Sequence, residues 1–258
     1  MSNNNLFSSV NIRGVDFPNR IVVPPMCQYS AHEGYVDDWH LVNLGRFAMG
    51  GAGLIITEAT AVQKKGRITH GCPGIWKDEQ IIGHSRIAQF ISRNGAIPGI
   101  QLGHAGRKAS MQRPWYGNGP LNEDDFRRGD MPWNIVAPSA CSVGEGWQIP
   151  EEMSEKQICE LIDDFIAAAR RAISAGYKVI ELHGAHGYLI HSFLSPVSNK
   201  RTDKYGGDLS GRMKLAIDIS SALRRSISDE TPLFFRVSST DNLENGWSIG
   251  DSVELAKE

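Results

Sequence analysis

The stretch S-E-K-Q-I-C-E-L-I-D-D-F-I-A-A-A-R-R-A-I-S-A-G-Y-K-V-I-E-L-H, residues 154–183, contains a complete helix signal followed by a strand signal. Ser154 and Gln157 have the spacing of a capping box, so a helix begins here. Apolar residues then recur at helical spacing, and Gly176 ends the helix. These residues are Ile158, Leu161, Ile162, Phe165, Ala169, Ala172 and Ile173. The apolar run at 177–183 predicts a buried strand directly after the helix.

The same alternation of strand and helix repeats along the chain. Strands are predicted at residues 21–26, 53–59, 97–104, 177–183 and 233–238. Helices are predicted at residues 40–49, 78–93, 154–176 and 210–226, and a further helix starts at 251. A short hairpin that turns at Gly14 precedes them. This alternation indicates a parallel sheet with covering helices, which fits both a (β/α)8 barrel and an open doubly wound sheet.

Residues with reactive side chains favour the barrel, because they cluster at or just beyond the C-terminal ends of the predicted strands. They are Cys27, Tyr29, Glu58, Gln101, His104, His183, His186, Tyr188 and Arg236. In a (β/α)8 barrel this end of the strands is the active face. No G-x-G-x-x-G follows the first strand, which weakens the dinucleotide-binding form of the open sheet. We therefore predict an α/β fold, a TIM barrel with an N-terminal hairpin.

A long segment at residues 105–150 interrupts the alternation. A stretch of this length without periodicity is either a functional loop or disordered, and its three tryptophans and one tyrosine favour an ordered loop. We predict that it is an insertion on the active face of a single domain covering residues 1–258. A complete barrel takes about 250 residues, yet this chain has room for only about five of the eight β/α units because of this loop.

Composition excludes several classes of protein. Lys plus Arg number 27 and Asp plus Glu number 29, a formal net charge of −2, so no basic surface for nucleic acid or anionic membranes is predicted. The start of the chain lacks the pattern of a secretory signal, and no apolar run approaches the roughly 18 residues that span a bilayer. The four cysteines are scattered, which argues against a disulfide framework or a zinc ribbon. We therefore expect a soluble, cytoplasmic protein.

The motif H-G-A-H-G-Y, residues 183–188, carries the sharpest chemical signal. A metal site needs three or four convergent ligands, and His183 and His186 supply only two. In a purely structural role, His183 would hydrogen-bond within the barrel and Tyr188 would pack. In a catalytic role, two imidazole N–H groups would hold an oxygen on which negative charge develops, while the phenol donates a proton beside it.

Three further side chains carry chemical signals with competing explanations. Cys27 could be a nucleophile with a base partner, although a free cysteine is most often a small buried apolar residue. The amide of Gln101 can both donate and accept, which suits the edge of a heterocycle, or it is satisfied by backbone. Arg236 follows an apolar run, and burying its charge is costly unless an anion or an electron-rich ring lies opposite.

Four motifs in order along the chain together resemble the old yellow enzyme family of FMN-dependent ene-reductases. They are N-R-I-V-V-P-P-M-C-Q-Y-S, Q-L-G-H-A-G-R-K, E-L-H-G-A-H-G-Y-L-I-H-S-F-L-S-P and N-K-R-T-D-K-Y-G-G. Cys27 together with Tyr29 resembles its thermophilic-like branch, and R-P-W in the long loop is similar to the xenobiotic-reductase members of that branch. The resemblance covers essentially the whole chain.

The resemblance implies an FMN site. Cys27 would lie near the reactive N5 of the flavin and tune its potential, Gln101 would pair with the pyrimidine edge, and Arg236 would lie near N1 and the C2 oxygen. Backbone contacts to the flavin ring are implied for Pro25, Met26 and Ala59. A fixed cation near N1 is physically sensible, since reduced flavin carries negative charge there.

The resemblance also implies a reaction in two halves. NAD(P)H would reduce FMN, and an α,β-unsaturated carbonyl, or a nitro compound, would then be reduced in the same site. His183 and His186 would bind the activating oxygen of the substrate, Tyr29 would line the pocket, and Tyr188 would donate the proton. A homo-oligomer, dimer or tetramer, is implied as well.

Family members carry further strands, whose loops hold the FMN phosphate, and a late arginine that reaches a neighbouring subunit. We therefore expect the barrel within residues 1–258 to be incomplete on its C-terminal side. Two other functions stay open at this point. One is a dienoyl-CoA reductase-like relative with an iron–sulfur cluster beyond Glu258, against which Cys27 and Tyr29 argue. The other is an incomplete barrel without catalytic activity.

Overall fold

The central feature of the fold is a five-stranded parallel sheet, seen in a computed structural model that describes residues 5–258. The strands in chain order are β1 (Val10–Ile12), β2 (Val15–Phe17), β3 (Val22–Val23), β4 (Leu54–Ala61), β5 (Ile97–Gly103), β6 (Val136–Ala137), β7 (Glu151–Glu152), β8 (Val179–Gly184) and β9 (Leu233–Val237). The main sheet has the order β3-β4-β5-β8-β9, and all its neighbouring pairs are parallel. Each strand of the main sheet therefore pairs with the strand of that sheet that follows it in the chain, as in a (β/α)8 barrel.

Helices follow the strands of this sheet. They are α1 (Asp38–Met49), α2 (Ile81–Arg93), α3 (Glu123–Arg127), α4 (Glu155–Ser174), α5 (Leu189–Leu194), α6 (Leu209–Ser226) and α7 (Ile249–Lys257). The predicted order of a hairpin and five strand–helix units is confirmed, as part of a TIM barrel. Ser154 and Gln157 form the predicted capping box at the start of α4. Between residues 5 and 258, no helix combines the length and apolar character needed to cross a membrane.

The N-terminal hairpin covers one end of the sheet. Strands β1 and β2 are antiparallel, with Ile12 opposite Val15, and Arg13 adopts a left-handed φ of 53° in the turn that includes the predicted Gly14. The apolar side chains of the hairpin pack with those at the start of the parallel strands. This cluster contains Phe17, Leu54, Ile56 and Val179, with Val10, Ile12 and Val15 against them. The N-terminal end of the sheet is therefore closed by apolar packing, which leaves the C-terminal end for chemistry.

The outer face of the parallel sheet packs against helices. Ile180 and Leu182 of β8 are fully buried in the largest apolar cluster, together with Phe165 of α4 and Leu215 of α6. Because side chains alternate along a strand, the residues between these two point to the other face. Helix packing on one face thus fixes which side chains of β8 face inward.

Residues 105–150 contain several short elements. Pro114–Tyr116 forms a 3₁₀ turn, and β6 pairs with β7 in a small parallel sheet. The indole nitrogen of Trp133 donates a hydrogen bond to the carbonyl of Lys65, 2.8 Å away. This contact ties the segment to the loop that follows β4.

Several predictions near the ends of elements differ from the structure, and two of them have a plain physical cause. The strand predicted at 21–26 pairs only at Val22–Val23, since Pro24 and Pro25 have no N–H to continue the pairing. Ile173, predicted on the buried stripe of α4, lies in the last turn and is 37% exposed. Both errors fall at the end of an element, where the apolar pattern continues beyond the regular structure.

Candidate active site

Four polar side chains lie on one face of the sheet, above the cluster formed by the hairpin. In the sheet register Gln101 stands beside Glu181, and His183 beside Arg236. Glu181 and His183 are two residues apart on β8, so all four side chains point to the same face. Val179, two residues before Glu181, packs against the hairpin cluster. The inward face therefore changes from apolar to polar toward the C-terminal ends of the strands.

Glu181 joins Gln101 and Arg236 in one hydrogen-bonded group. Its Oε1 accepts a hydrogen bond from Gln101 Nε2 at 2.7 Å and another from Arg236 Nε at 2.9 Å. A carboxylate only accepts, so the amide nitrogen of Gln101 must face it, and the amide oxygen points away as a fixed acceptor. Within residues 5–258 no hydrogen bond occupies that oxygen. Gln101 therefore offers an acceptor, and the half-buried guanidinium of Arg236 offers donors beside it.

The predicted motif H-G-A-H-G-Y forms a tight turn between β8 and α5. His186 and Gly187 both adopt left-handed backbone conformations, with φ of 60° and 72°. The carbonyl of His186 accepts a hydrogen bond from Lys108 Nζ at 2.8 Å, and its N–H donates to Ser238 Oγ at 2.9 Å. The left-handed φ of Gly187 favours glycine at this position, and a Cβ there would also lie 3.1 Å from Lys108 Nζ. The turn thereby fixes both side chains that flank it.

The rings of His183, His186 and Tyr188 meet at this turn. The ring centres of His183 and His186 are 5.0 Å apart, those of His183 and Tyr188 are 4.8 Å apart, and those of His186 and Tyr188 are 6.4 Å apart. All three pairs of rings are edge-on. His183 is buried, whereas His186 is exposed.

The hydrogen bond at Nδ1 determines the protonation of His183. This nitrogen accepts the backbone N–H of Ala185 at 3.3 Å, so the neutral ring carries its proton on Nε2. Burial, followed by the nearby His186 and Arg236, lowers the pKa of His183 to about 3. Burial and Arg236 also lower the pKa of His186. Both imidazoles are therefore neutral hydrogen-bond donors at physiological pH.

Tyr188 retains its proton in this setting. Burial is the main cause that raises the pKa of its phenol, followed by the nearby Cys27 and Tyr29. Its ring packs against an apolar cluster together with Cys27, Tyr29 and Ala59. The phenol is thus protonated, half-buried and adjacent to the two histidines, as a proton donor must be.

Cys27 is held as a thiol. Burial, followed by Cys72 and Glu58, raises its pKa well above the ordinary value. The thiolate is the reactive form of cysteine, so this environment disfavours the nucleophilic role. All four cysteines of the chain are free.

A β-bulge lies between Thr57 and Thr60 and contains Glu58 and Ala59. Bulges redirect side chains beside active sites. The Oε2 of Glu58 accepts the backbone N–H of Gln28 at 2.9 Å, and its Oε1 lies 3.5 Å from Nε2 of His40. Burial raises the pKa of Glu58 to about 8. The bulge therefore connects β4 to the segment that carries Cys27 and Tyr29.

The structure brings most of the predicted site residues together. Direct pairing or shared packing connects Cys27, Tyr29, Ala59, Gln101, His183, His186, Tyr188 and Arg236. Pro25 and Met26 lie on the segment between β3 and Cys27, and Met26 is 47% exposed. His104 is buried at the end of β5.

The sequence patterns alone do not reveal a role for Glu181 or for Glu58. Glu181 is an acidic residue within the apolar strand, two residues before His183, and this spacing was the available signal. The bulge at Glu58 depends on the pairing with β5, which no local pattern reports. Across residues 5–258, no three His, Cys, Asp or Glu side chains lie close enough together to hold a metal ion.

Comparisons with known proteins agree with this geometry. The family model of the NADH:flavin oxidoreductase / NADH oxidase family matches residues 5–258. An NADH:flavin oxidoreductase of Gibberella zeae is 45% identical over 263 residues, which cover 98% of this chain and 63% of that protein. This chain thus spans less than two thirds of the length of that relative.

Solved structures of related enzymes superpose on this chain over nearly its whole length. A 2-naphthoyl-CoA reductase in complex with 2-naphthoyl-CoA superposes with a TM-score of 0.86 at 29% identity, covering 98% of this chain and 38% of that one. The Old Yellow Enzyme from Pichia sp. superposes with a TM-score of 0.80 at 27% identity, covering 96% of this chain and 63% of that one.

Proposed function

Since this chain belongs to the NADH:flavin oxidoreductase / NADH oxidase family, we propose that it is part of an FMN-dependent oxidoreductase that draws electrons from NAD(P)H. We further propose that its substrates are α,β-unsaturated carbonyl compounds or nitro compounds, reduced at the site of His183, His186 and Tyr188. The chain supplies donors, acceptors and a proton.

The residues around Glu181 fit the edge of a flavin. The free amide oxygen of Gln101 suits a ring N–H, and the guanidinium of Arg236 suits a carbonyl oxygen or a negatively charged ring nitrogen. Ala59 and the backbone of Pro25 and Met26 would contact the ring. When bound, FMN would supply the redox chemistry that carries two electrons from NAD(P)H to the β-carbon of the substrate.

His183 and His186 are proposed to bind the oxygen of the substrate. Both imidazoles are neutral, and the Nε2–H of His183 is available because its Nδ1 already accepts from Ala185. Two donors on one oxygen stabilise the negative charge that develops there during reduction. They would also hold the substrate in a fixed orientation for reduction.

Tyr188 is proposed to deliver the proton to the α-carbon. Its ring lies 4.8 Å from that of His183, and its phenol is protonated at neutral pH. A positioned general acid of this kind contributes about 10²–10⁴-fold to a rate. The proposal rests most strongly on this one observation: the three rings meet beside Arg236, at the C-terminal end of the strands.

Residues 105–150 are proposed to cover the active face. The ring of Trp115 lies edge-on to Tyr29 with 6.0 Å between ring centres, and Trp115 is 59% exposed. An exposed indole next to a proposed pocket residue suits contact with an apolar substrate.

The likeness to 2-naphthoyl-CoA reductase supports a second candidate, reduction of a conjugated acyl-CoA thioester. Cys27 and Tyr29 favour the ene-reductase over it. Iron and sulfide analysis, with turnover of an enone and of an enoyl-CoA thioester, separates the two candidates.

The proposed function is tested by the flavin itself. The full-length protein that contains this chain should carry FMN. NADPH or NADH should bleach its visible absorbance, and an enone such as cyclohexenone should restore that absorbance in the absence of oxygen. Protein that binds no FMN, or flavin that an enone cannot reoxidise, would contradict the proposal.

A further inference from the structure

Two buried hydrogen-bond donors beside the proposed site have no partner among residues 5–258. They are Nε2 of His104 and Nη1 of Arg67. Both residues are 3% exposed. Buried donors are almost always satisfied by protein or by ordered water, so two unsatisfied donors close together indicate a group that binds between them.

His104 presents its donor in a fixed direction. Its Nδ1 accepts the backbone N–H of Gly106 at 3.0 Å, and the neutral ring therefore carries its proton on Nε2. Burial lowers the pKa of His104 to about 3, so the ring is neutral. A Cβ at Gly66 would lie only 2.6 Å from the ring, which shows how closely the imidazole packs on the loop that carries Arg67.

Arg67 is held without a carboxylate partner in the described part of the chain. Its Nε donates to the carbonyl of Lys64 at 3.1 Å. Its guanidinium lies over the rings of Trp76 and Trp133, 5.6 and 5.1 Å from their centres. These contacts fix the position of the charge and leave Nη1 free.

A small cavity connects these donors with the proposed catalytic residues. It is lined by Ala59, Ala61, Gly66, Arg67, Ile68, Gly103, His104, Ala105, His183 and Tyr188. Its volume of about 10 Å³ is room for one water molecule. His104, Arg67, His183 and Tyr188 are the polar side chains of this wall.

We propose that this cavity binds one water molecule that accepts hydrogen bonds from His104 and Arg67 and donates one to the phenolic oxygen of Tyr188. Because the two lone pairs of the water accept from these two fixed donors, one of the hydrogens of the water can point to the phenolic oxygen. His104 and Arg67 are thus positioning residues that act through water. This inference rests on the proposed function, in which Tyr188 is the proton donor.

The water assists the step in which Tyr188 loses its proton. The O–H bond of the phenol breaks, the proton bonds to the α-carbon of the substrate using the electron pair of the enolate, and the O–H pair stays on the phenolic oxygen. That oxygen is then negative in a largely buried place. A hydrogen bond from the water, itself polarised by Arg67, stabilises it until a solvent proton restores the phenol.

The experiment is a double-mutant cycle of His104→Leu and Tyr188→Phe, measured as separate half-reactions of the FMN-loaded protein. His104→Leu should slow reoxidation of the flavin by an enone about 10- to 100-fold, the effect of one hydrogen bond to a charged group. It should leave reduction of the flavin by NAD(P)H unchanged. In the Tyr188→Phe background, His104→Leu should cause no further loss, because the oxygen that the water serves is absent.

Two further measurements separate the proposed role of His104 from a general loss of folding. His104→Gln, which keeps an acceptor for Gly106 and a donor for the water, should retain most of the rate. A high-resolution crystal structure should contain a water within hydrogen-bonding distance of His104 Nε2, Arg67 Nη1 and the Tyr188 hydroxyl.

An equal loss from His104→Leu in both backgrounds, or a cavity without water in the crystal, would overturn the inference and leave the proton donor intact. If Tyr188→Phe alone had no effect on enone reduction, both the inference and the assignment of Tyr188 would be wrong.

Discussion

Glu181 and Arg236 form an ion pair on the inward face of the sheet, with Oε1 of the carboxylate 2.9 Å from Nε of the guanidinium. The same oxygen accepts the amide of Gln101. Glu181 thus sets the direction of both side chains and offsets the charge of Arg236. A bound flavin would meet a cation that is partly neutralised from behind.

Removing this offset should change the flavin potential. In Glu181→Gln the charge of Arg236 is uncompensated, and a negatively charged reduced flavin is stabilised further. We expect the reduction potential to rise by about 30–60 mV, since 30 mV corresponds to about 1.4 kcal/mol for a two-electron couple. Spectroscopic titration against a reference dye measures this, with the exposed Glu160→Gln as control. An unchanged or lower potential would count against a role for Glu181.

Cys27 should also act on the potential. Its pKa is raised well above the ordinary value by burial, so it is a thiol and not an attacking thiolate. Cys27→Ala is therefore expected to shift the potential and to keep turnover of an enone within about tenfold. Exposed Cys159→Ala is the matched control. A Cys27→Ala protein that loads FMN normally but is inactive would instead support covalent catalysis.

Phenolic ligands test the two histidines. An anionic oxygen that loses the donor of His183 loses roughly 1.5–3 kcal/mol, so His183→Ala should weaken binding of a substituted phenol about 10- to 100-fold. Because the pKa of His183 is about 3, its contribution should not vary between about pH 5 and 8. Flavin absorbance reports the binding, and the exposed His32→Ala is the control. Loss of a bound metal from the double variant of His183 and His186 would contradict this assignment.

Glu58 should give the protein a distinct pH dependence of stability. Burial raises its pKa from the ordinary 4.5 to about 8. Between these values the folded protein holds more protons than the unfolded chain, so this group lowers stability as pH rises through the window. Glu58→Gln keeps an acceptor for the N–H of Gln28 and removes the titration. The free energy of unfolding of the variant, measured relative to that of the parent, should therefore increase by a few kcal/mol as the pH rises from about 5 to 8.

Urea unfolding at the two pH values measures this difference, and the exposed Glu79→Gln should show none. An equal difference between parent and Glu58→Gln at both pH values would mean that Glu58 is ionised in the folded protein.

The sequence predicts those parts of this protein that depend on local patterns. The helix from Glu155 to Ser174 follows from its capping box and apolar spacing. The motif at 183–188 follows from three polar rings placed at the end of a buried strand. In each case, the residues that make up the signal lie close together along the chain.

Features that depend on neighbouring strands could not be predicted. The bulge at Glu58 and Ala59 exists only relative to β5, and the ion pair of Glu181 with Arg236 joins residues 55 positions apart. His104 Nε2 lacks a hydrogen-bond partner within the described residues, and the loop at Gly66 packs closely on its ring. Such relationships arise from tertiary packing, which a local pattern does not encode.

The central claim is that Tyr188 donates the proton for a substrate held by His183 and reduced in this site. The most direct measurement is stopped-flow kinetics of Tyr188→Phe, with flavin reduction by NAD(P)H and reoxidation by an enone followed separately. We predict that reoxidation slows by about 10²–10⁴-fold while reduction keeps its rate. Equal slowing of both half-reactions, or no slowing of either, would contradict the claim.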